Sequence, residues 1–311
     1  MWWLFNLSIG SLLHLRTRLW LGRLLFRPLS GDRLTRVSWH RVIKGPCRPT
    51  EVEAMQYVAA HTTVPVPKLF AVHIDDGEIY IEMAYITGTT LEGGWDGLST
   101  DQKSVIFAEL KQHVSSLREL SPPVEGMVSS ALQNPAWDAR VGHNLFGPVS
   151  LNEFHSVVRG HLVMEDVAQY LGEGVVRMHT APYRICFTHA DLAARNIMIR
   201  NGHIAAIIDW DFAGWYPEYW EFTKAQYTEL GGGSREFVFD ALPCYEAELE
   251  AERILWDRLP TMGSTYTAHR HGVVIKHAGS APSKAWMEAR RSCQQVDLWA
   301  VYLARHPYSV S

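Results

Sequence analysis

Between His189 and Asp211 the side chains whose types and spacing suit joint chemistry are His189, Asp191, Arg195, Asn196, Asp209 and Asp211. Asn196 follows Asp191 by five positions, and Asp209 follows Asn196 by thirteen. Ile197 to Ile199 read as a buried strand, Asn201-Gly202 as a two-residue turn, and Ile204 to Ile208 as the returning strand. Such a hairpin gathers Asp191, Asn196 and Asp209 at its open end. Two carboxylates and an amide are hard oxygen groups, suited to Mg²⁺ and to accepting a proton. Alternation sends Asp211 to the side of Asp209, as a second metal ligand or as its outer partner. Arg195 either offsets the carboxylates or stays solvated.

Other elements must bring partners to this hairpin. Leu34 to Ile43 alternates well enough for one strand, with Val37, Trp39 and Ile43 toward one side, and it ends at Lys44-Gly45. A helix is expected from Thr50 to His61, with Glu51, Met55 and Val58 along one face. A carboxylate on that helix can hold Lys44. Glu51 fits better than Glu53, because apolar residues follow it at +4 and +7. Strands are expected at 68–73 and 78–83, around the Asp75-Asp76-Gly77 turn. Asp101 to Leu120 reads as a helix with Val105, Leu110, Val114 and Leu117 on one face. Residues 121–150, rich in Pro, Gly and Asn, read as irregular, and Leu151 to His179 as one or two helices. Further helices are expected at about 235–258 and 283–305, and His269, His271 and His277 lack a metal-site framework.

The chain has 311 residues, enough for one large or two modest domains. Its 29 basic and 33 acidic residues are mixed, which argues against a nucleic-acid surface. Cys47, Cys186, Cys244 and Cys293 are far apart, which speaks against a disulfide scaffold or zinc ribbon and for a reducing, cytoplasmic setting. Residues 1–29 are apolar and basic, but no apolar run reaches the roughly 18 residues a membrane span needs. Leu12, Leu15, Leu19 and Trp20 recur at helical spacing. Two readings stay open for this segment: a helix docked on its own protein, or peripheral contact with a membrane surface.

The stretch FTHADLAARNIMIRNGHIAAIIDWDFAGWYPEYWEF, Phe187 to Phe222, resembles the catalytic centre of protein-kinase-like phosphotransferases. Ala190 stands where protein kinases place Arg, and Trp210-Asp211 where they place Phe-Gly. The pattern is therefore similar to the aminoglycoside phosphotransferase and choline kinase branch, and GWYPEYWEF to a fungal subgroup of it. The resemblance covers roughly residues 36–225. It implies an α+β, two-lobe protein-kinase-like fold. An N-terminal helical segment would span 1–30, a reduced sheet lobe 31–86, and a mainly helical lobe 87–311.

The same resemblance implies ATP- and Mg²⁺-dependent phosphorylation of a hydroxyl on a small molecule. Asp191 would be the base, with His189 propping its loop. Asn196 and Asp209 would hold the metal. Lys44, positioned by Glu51, would reach the phosphates, with Arg195 near them. The backbone at Met83 to Tyr85 would bind adenine. Aromatic residues such as Trp215, Tyr216, Tyr219 and Trp220 would serve as core or as walls of the acceptor site. No Gly-x-Gly-x-x-Gly precedes Lys44, and residues 23–43 hold only Gly31. The alternative is thus a kinase-fold protein that has lost transfer from ATP and binds a ligand or performs other chemistry on a natural product. Ile204 to Phe212 also resembles the Asp-x-Asp strand of haloacid-dehalogenase-type phosphatases. That motif expects Thr or Val where Ala213 stands, and it leaves His189, Asp191 and Asn196 unexplained.

Overall fold

A computed structural model describes residues 14–29, 33–141, 145–159, 162–228 and 233–258. Leu12, the helix expected at 283–305, the three histidines at 269, 271 and 277, and Cys293 lie outside the described residues. The first described element is a helix, α1 (Leu15–Leu25). Next come β1 (Leu34–Arg36) and β2 (Arg41–Cys47), paired antiparallel. The single strand expected over 34–43 is therefore a hairpin. Ser38-Trp39-His40 turns the chain, the amides of Val37 and Ser38 both donate to Arg41 O, and Trp39 is 72 % exposed. The apparent alternation ran across a bend.

Helix α2 (Pro49–His61) starts with Pro at its first position, where no amide is needed. It buries Glu51, Met55 and Val58 on one side, as the spacing requires. β3 (Leu69–Asp75) and β4 (Glu78–Ala84) are joined at Asp76 and Gly77, both with positive φ, the geometry of a tight hairpin turn. The sheet order is β1-β2-β4-β3. Its register pairs Lys44 with Ile81 and Ile43 with Glu82, so Lys44 and Glu82 occupy opposite faces. The Lys44 face meets α2. The Glu82 face meets α1, where Arg18 makes two bonds to Glu82 at 2.8 and 2.7 Å. Burial alone would raise the Glu82 carboxyl, but bonds from Arg18, Arg41 and His73 outweigh it and hold it at about 2. Gly22 permits the close approach, since a Cβ there would sit 2.4 Å from Arg36 O.

After Ala84 the chain crosses to the second lobe through β5 (Thr89–Thr90) and α3 (Leu91–Gly94). α4 (Thr100–Arg118) begins with a capping box between Ser99 and Gln102. Its buried face starts at Ile106 and continues through Leu110, Val114 and Leu117, while Val105 is 39 % exposed. The expected face was one residue out of phase at its start. The segment expected to be irregular holds β6 (Met127–Ser130) and β7 (Val149–Ser150). The stretch expected as one or two helices holds three: α5 (Leu151–Val158), α6 (Met164–Tyr170) and α7 (Glu173–Thr180). β8 (Ile185–Thr188) leads into the loop of His189, followed by β9 (Ile197–Arg200), β10 (His203–Ile207) and β11 (Gly214–Pro217). Sheets β10-β9-β5 and β7-β6-β11-β8 frame that loop. α8 (Trp220–Thr228) follows, then α9 (Gly233–Asp240) and α10 (Glu246–Arg258). The helix expected at 235–258 is thus two helices, separated at Ala241–Tyr245, which contains Pro243. The result is an α+β fold with a small antiparallel sheet lobe and a mainly helical lobe.

Candidate active site

The hairpin β9–β10 forms as its turn chemistry dictates, with Asn201 and Gly202 both at positive φ. At its open end the amide of Ile208 donates to Asn196 O at 2.9 Å. The Asn196 side-chain nitrogen donates to Asp191 O and to Asp191 Oδ2, each at 2.8 Å. Arg195 reaches both oxygens of Asp191, at 2.8 and 3.0 Å. Asp191, Asn196 and the residue before Asp209 are therefore joined by hydrogen bonds.

His189 is fully buried. Its Nδ1 accepts from the Asp191 amide at 3.2 Å, so the ring proton lies on Nε2, which faces Ile208 O at 3.1 Å. Burial lowers its pKa against the pull of Asp191 and Asp209. Both ring nitrogens are spent on backbone, so this neutral imidazole ties the loop to the second strand of the hairpin.

Lys44 comes down from β2 between two carboxylates, 2.6 Å from Glu51 Oε1 and 2.6 Å from Asp209 Oδ1. Burial pushes the ammonium down, but the charges of Glu51 and Asp209 outweigh it and raise its pKa above the ordinary value. Burial would likewise raise Asp209, and Lys44 overrides it to lower that carboxyl. Asp209 is itself at φ 68, a left-handed conformation that costs a non-glycine residue roughly 1–2 kcal/mol. Glu53, the second choice for Lys44, instead accepts from Ser130 Oγ at 2.6 Å and Asn134 Nδ2 at 2.8 Å.

Asp211 takes other partners than Asp209 does, while staying within electrostatic reach of Asp209 and Lys44. It pairs with Arg48 at 2.7 Å, and its carbonyl accepts from Thr50 Oγ1 at 3.0 Å. The expected alternation fails because the strand ends at Ile207 and Asp209 turns the chain. Arg48 also lies 3.2 Å above the Trp137 ring, which stacks on Phe212. At the lobe junction, Met83 is buried, on the same sheet face as Lys44. The Tyr85 amide already donates to His40 O at 3.0 Å, and its ring lies under Arg36. Tyr85 therefore retains its carbonyl but not its donor for a ligand. Trp215, Tyr216, Tyr219 and Trp220 are fully buried core, not acceptor walls.

Sequence reasoning missed Glu221. It sits in the first turn of α8, and its two oxygens accept from the amides of His189, at 2.6 Å, and Ala190, at 3.0 Å. Ala190 has φ 60, so the carboxylate stabilises a strained turn immediately before Asp191. Burial pushes the Glu221 carboxyl up to about 7 against the pull of those amides. The available signal was an acid inside an aromatic run that also holds Glu218, since a buried carboxylate requires donors. Arg48 and Thr50 were missed as well, because their partner Asp211 is remote in sequence. Among the described residues, no cluster of three His, Cys, Asp or Glu could hold a metal ion.

The constellation of Lys44 and Glu51 from one lobe with Asp191, Asn196 and Asp209 from the other is that of a kinase-like phosphotransferase. The model of the phosphotransferase enzyme family matches residues 47–258, more than half of the chain. No curated protein matches it. Among solved structures the chain is similar to a thermostable mutant of aminoglycoside phosphotransferase APH(4)-Ia in its apo form. The TM-score is 0.52 at 17 % identity, over 74 % of this chain and 83 % of that one. A further structure of APH(4)-Ia gives 0.52 at 16 %, over 74 % and 82 %. The fold is thus the two-lobe kinase-like one. The chain belongs to the phosphotransferase enzyme family, and its class is that of a small-molecule phosphotransferase.

Proposed function

We propose that the protein transfers the γ-phosphoryl group of ATP to a hydroxyl of a small molecule, with Asp191 as the base. The observation that carries this reading is Lys44. It holds Glu51 and Asp209 at 2.6 Å each, joining an α2 carboxylate to the carboxylate after the hairpin. A buried ammonium set between the lobes is suited to the α- and β-phosphates.

The residues present fit Mg²⁺. Asn196 makes its side-chain bonds through nitrogen, which leaves the amide oxygen as a donor. Asp209 uses Oδ1 for Lys44, and its side chain is 43 % exposed. Two hard oxygens with room for phosphate oxygens suit that ion, which when bound neutralises charge on the phosphates. In the proposed step the acceptor O–H bond breaks and its proton passes to Asp191. A new O–P bond forms as the bond from γ-phosphorus to the bridging oxygen of ADP breaks. Arg195 fixes both oxygens of Asp191, while His189 and Glu221 hold the loop backbone.

A second reading is a retired kinase, which binds its ligand without transfer from ATP. It is favoured by the lack of a Gly-rich sequence before Lys44 and by the amide of Tyr85 being already engaged. Calorimetry with ATP, with and without Mg²⁺, and the mass of a turned-over acceptor separate the two. Transfer requires Mg²⁺-dependent ATP binding and a product heavier by one phosphoryl group. Turnover without ATP would overturn it.

A further inference from the structure

The outer surface of α1 and the β1–β2 turn plays no part in the phosphotransferase reading. α1 buries Leu15, Arg18 and Gly22 against the sheet. Its other side shows Trp20 at 62 % exposure and Leu24, one turn on, at 67 %. Leu25 closes the helix at 69 %. Phe26 continues the row and meets Trp39 edge-on at 5.7 Å between ring centres. Trp20 and Leu24 form an exposed ridge along one side of the helix, with Leu25 about 100° round from Leu24 and the Phe26–Trp39 pair just beyond the helix end.

Arginines frame that ridge. From Leu15 to Arg41 the sequence holds seven arginines and a single acid, Asp32. Arg18 and Arg41 are used by Glu82, and Arg16 by Asp75 and Asp76. Arg23 and Arg27 pair with no carboxylate among the described residues, and Arg36, which donates to the carbonyls of Ser38 and Trp39, lies over both Phe26 and Trp39. Arg33 acts on Asp209 in the cleft and does not belong to this rim. Residues 1–13, which lead into α1, contain no charged side chain and include Trp2, Trp3 and Phe5.

Exposed tryptophan and leucine rimmed by unpaired arginine is the composition of a helix lying in a membrane interface. The rings and leucines enter the acyl boundary while guanidinium groups meet anionic headgroups. We propose that α1, together with the β1–β2 turn, docks this protein on an anionic bilayer surface. A second copy fits poorly, because a two-fold contact would set the same unpaired arginines against one another. The cytoplasmic leaflet carries the negative lipids such a surface requires. Lys44 and Glu51 lie on the other face of the sheet, so docking leaves the cleft free. The proposal rests on this surface and is independent of what the cleft does.

The test is flotation of the full chain with vesicles of phosphatidylcholine alone and of phosphatidylcholine with phosphatidylserine, at low and physiological salt. Binding to the phosphatidylserine vesicles, weakened by salt, is expected, with little on the neutral ones. R23Q/R27Q should lower the partition coefficient by about 25-fold, about fivefold for each arginine. W20A/W39A, with every arginine kept, should lower it by about tenfold or more. These side chains are exposed, so the melting temperature of each variant serves as a check that the fold is intact. No flotation on anionic vesicles would overturn the proposal, as would equal flotation on neutral ones. Unchanged binding by W20A/W39A would identify attraction to any polyanion and would overturn it too. So would a dimer, seen by light scattering, that W20A/W39A disrupts while vesicle binding is absent.

Discussion

Asp191 is buried, clamped through both oxygens by Arg195 and through one by Asn196. Such a clamp sets the carboxylate's direction, which matters most when the acceptor hydroxyl is being deprotonated. Asp191→Ala should leave Mg²⁺-ATP binding nearly intact, because Asn196 and Asp209 are untouched. Transfer should fall by about two to four powers of ten, mainly in kcat. Steady-state kinetics beside an ATP titration would check this, and a kcat within tenfold of wild type would remove Asp191 from the role. Glu221 acts through the same loop from the other side. Above about pH 7 both its oxygens accept the amides of His189 and Ala190; below it one carries a proton and ceases to accept. The kcat profile should therefore show a rising limb near pH 7 that Glu221→Gln flattens. A glutamine variant that keeps both the limb and the rate would show that the carboxylate does not hold the loop.

Helix α2 carries two carboxylates with different tasks. Glu51 holds Lys44, while Glu53 reaches Ser130 and Asn134 in the other lobe. With Arg48 and Thr50 on Asp211, the helix is tied to the helical lobe at its start and along its first turn. Glu53→Ala should cost about 1–2 kcal/mol of stability, from two hydrogen bonds at a half-buried site. It should also raise the KM for ATP several-fold, because Glu51 and Lys44 ride on the same element. Urea midpoints and ATP kinetics would check both, and an unaltered KM would show that α2 needs no such tie. The Glu51–Lys44 pairing was legible in the sequence because its partners are seven residues apart on adjacent elements. Hairpin β9–β10 was legible because Asn201-Gly202 fixes its turn locally. What escaped was set by distant partners. The Trp215 indole donates to Ala131 O across 84 positions, and Glu221 meets His189 across 32, neither of which leaves a periodic trace. The β1–β2 turn escaped for the opposite reason. Val37 and Trp39 mimic strand alternation, while the register Thr35 to Ile43 that bends the chain comes from cross-strand pairing.

At the scale of the whole molecule, the helical lobe hides a histidine pair beneath the catalytic loop's support. His155 and His179 stack at 4.6 Å between ring centres and 7° between planes. The Nδ1 of His155 faces His179 O at 3.3 Å, so its Nε2 accepts from the Tyr219 hydroxyl at 3.0 Å. Neither ring nitrogen of His179 has a hydrogen-bond partner among the described residues. Burial pushes His155 down to about 4. It pushes His179 to about 2, aided by His155, Arg159 and Arg140. In the unfolded chain both titrate near about 6.5. Between that value and the lowered ones the unfolded chain binds more protons, so stability falls as pH drops. The slope is about 1.4 kcal/mol per pH unit for each histidine. Paired carboxylates such as Glu82, held at about 2, add their loss only below the ordinary carboxylate range. In the window from pH 6.5 to 5 the lowered His189 and His113 act in the same sense as the pair, while Glu221, raised to about 7, acts in the opposite one. His179→Leu removes one titrating group that makes no hydrogen bond. Its unfolding free energy should fall less steeply over that window, by about 1.4 kcal/mol per pH unit, a difference of about 2 kcal/mol by pH 5. Urea denaturation of both proteins between pH 5 and 8 measures this directly. Parallel stability curves for wild type and His179→Leu would mean that the pair is not the source of acid sensitivity.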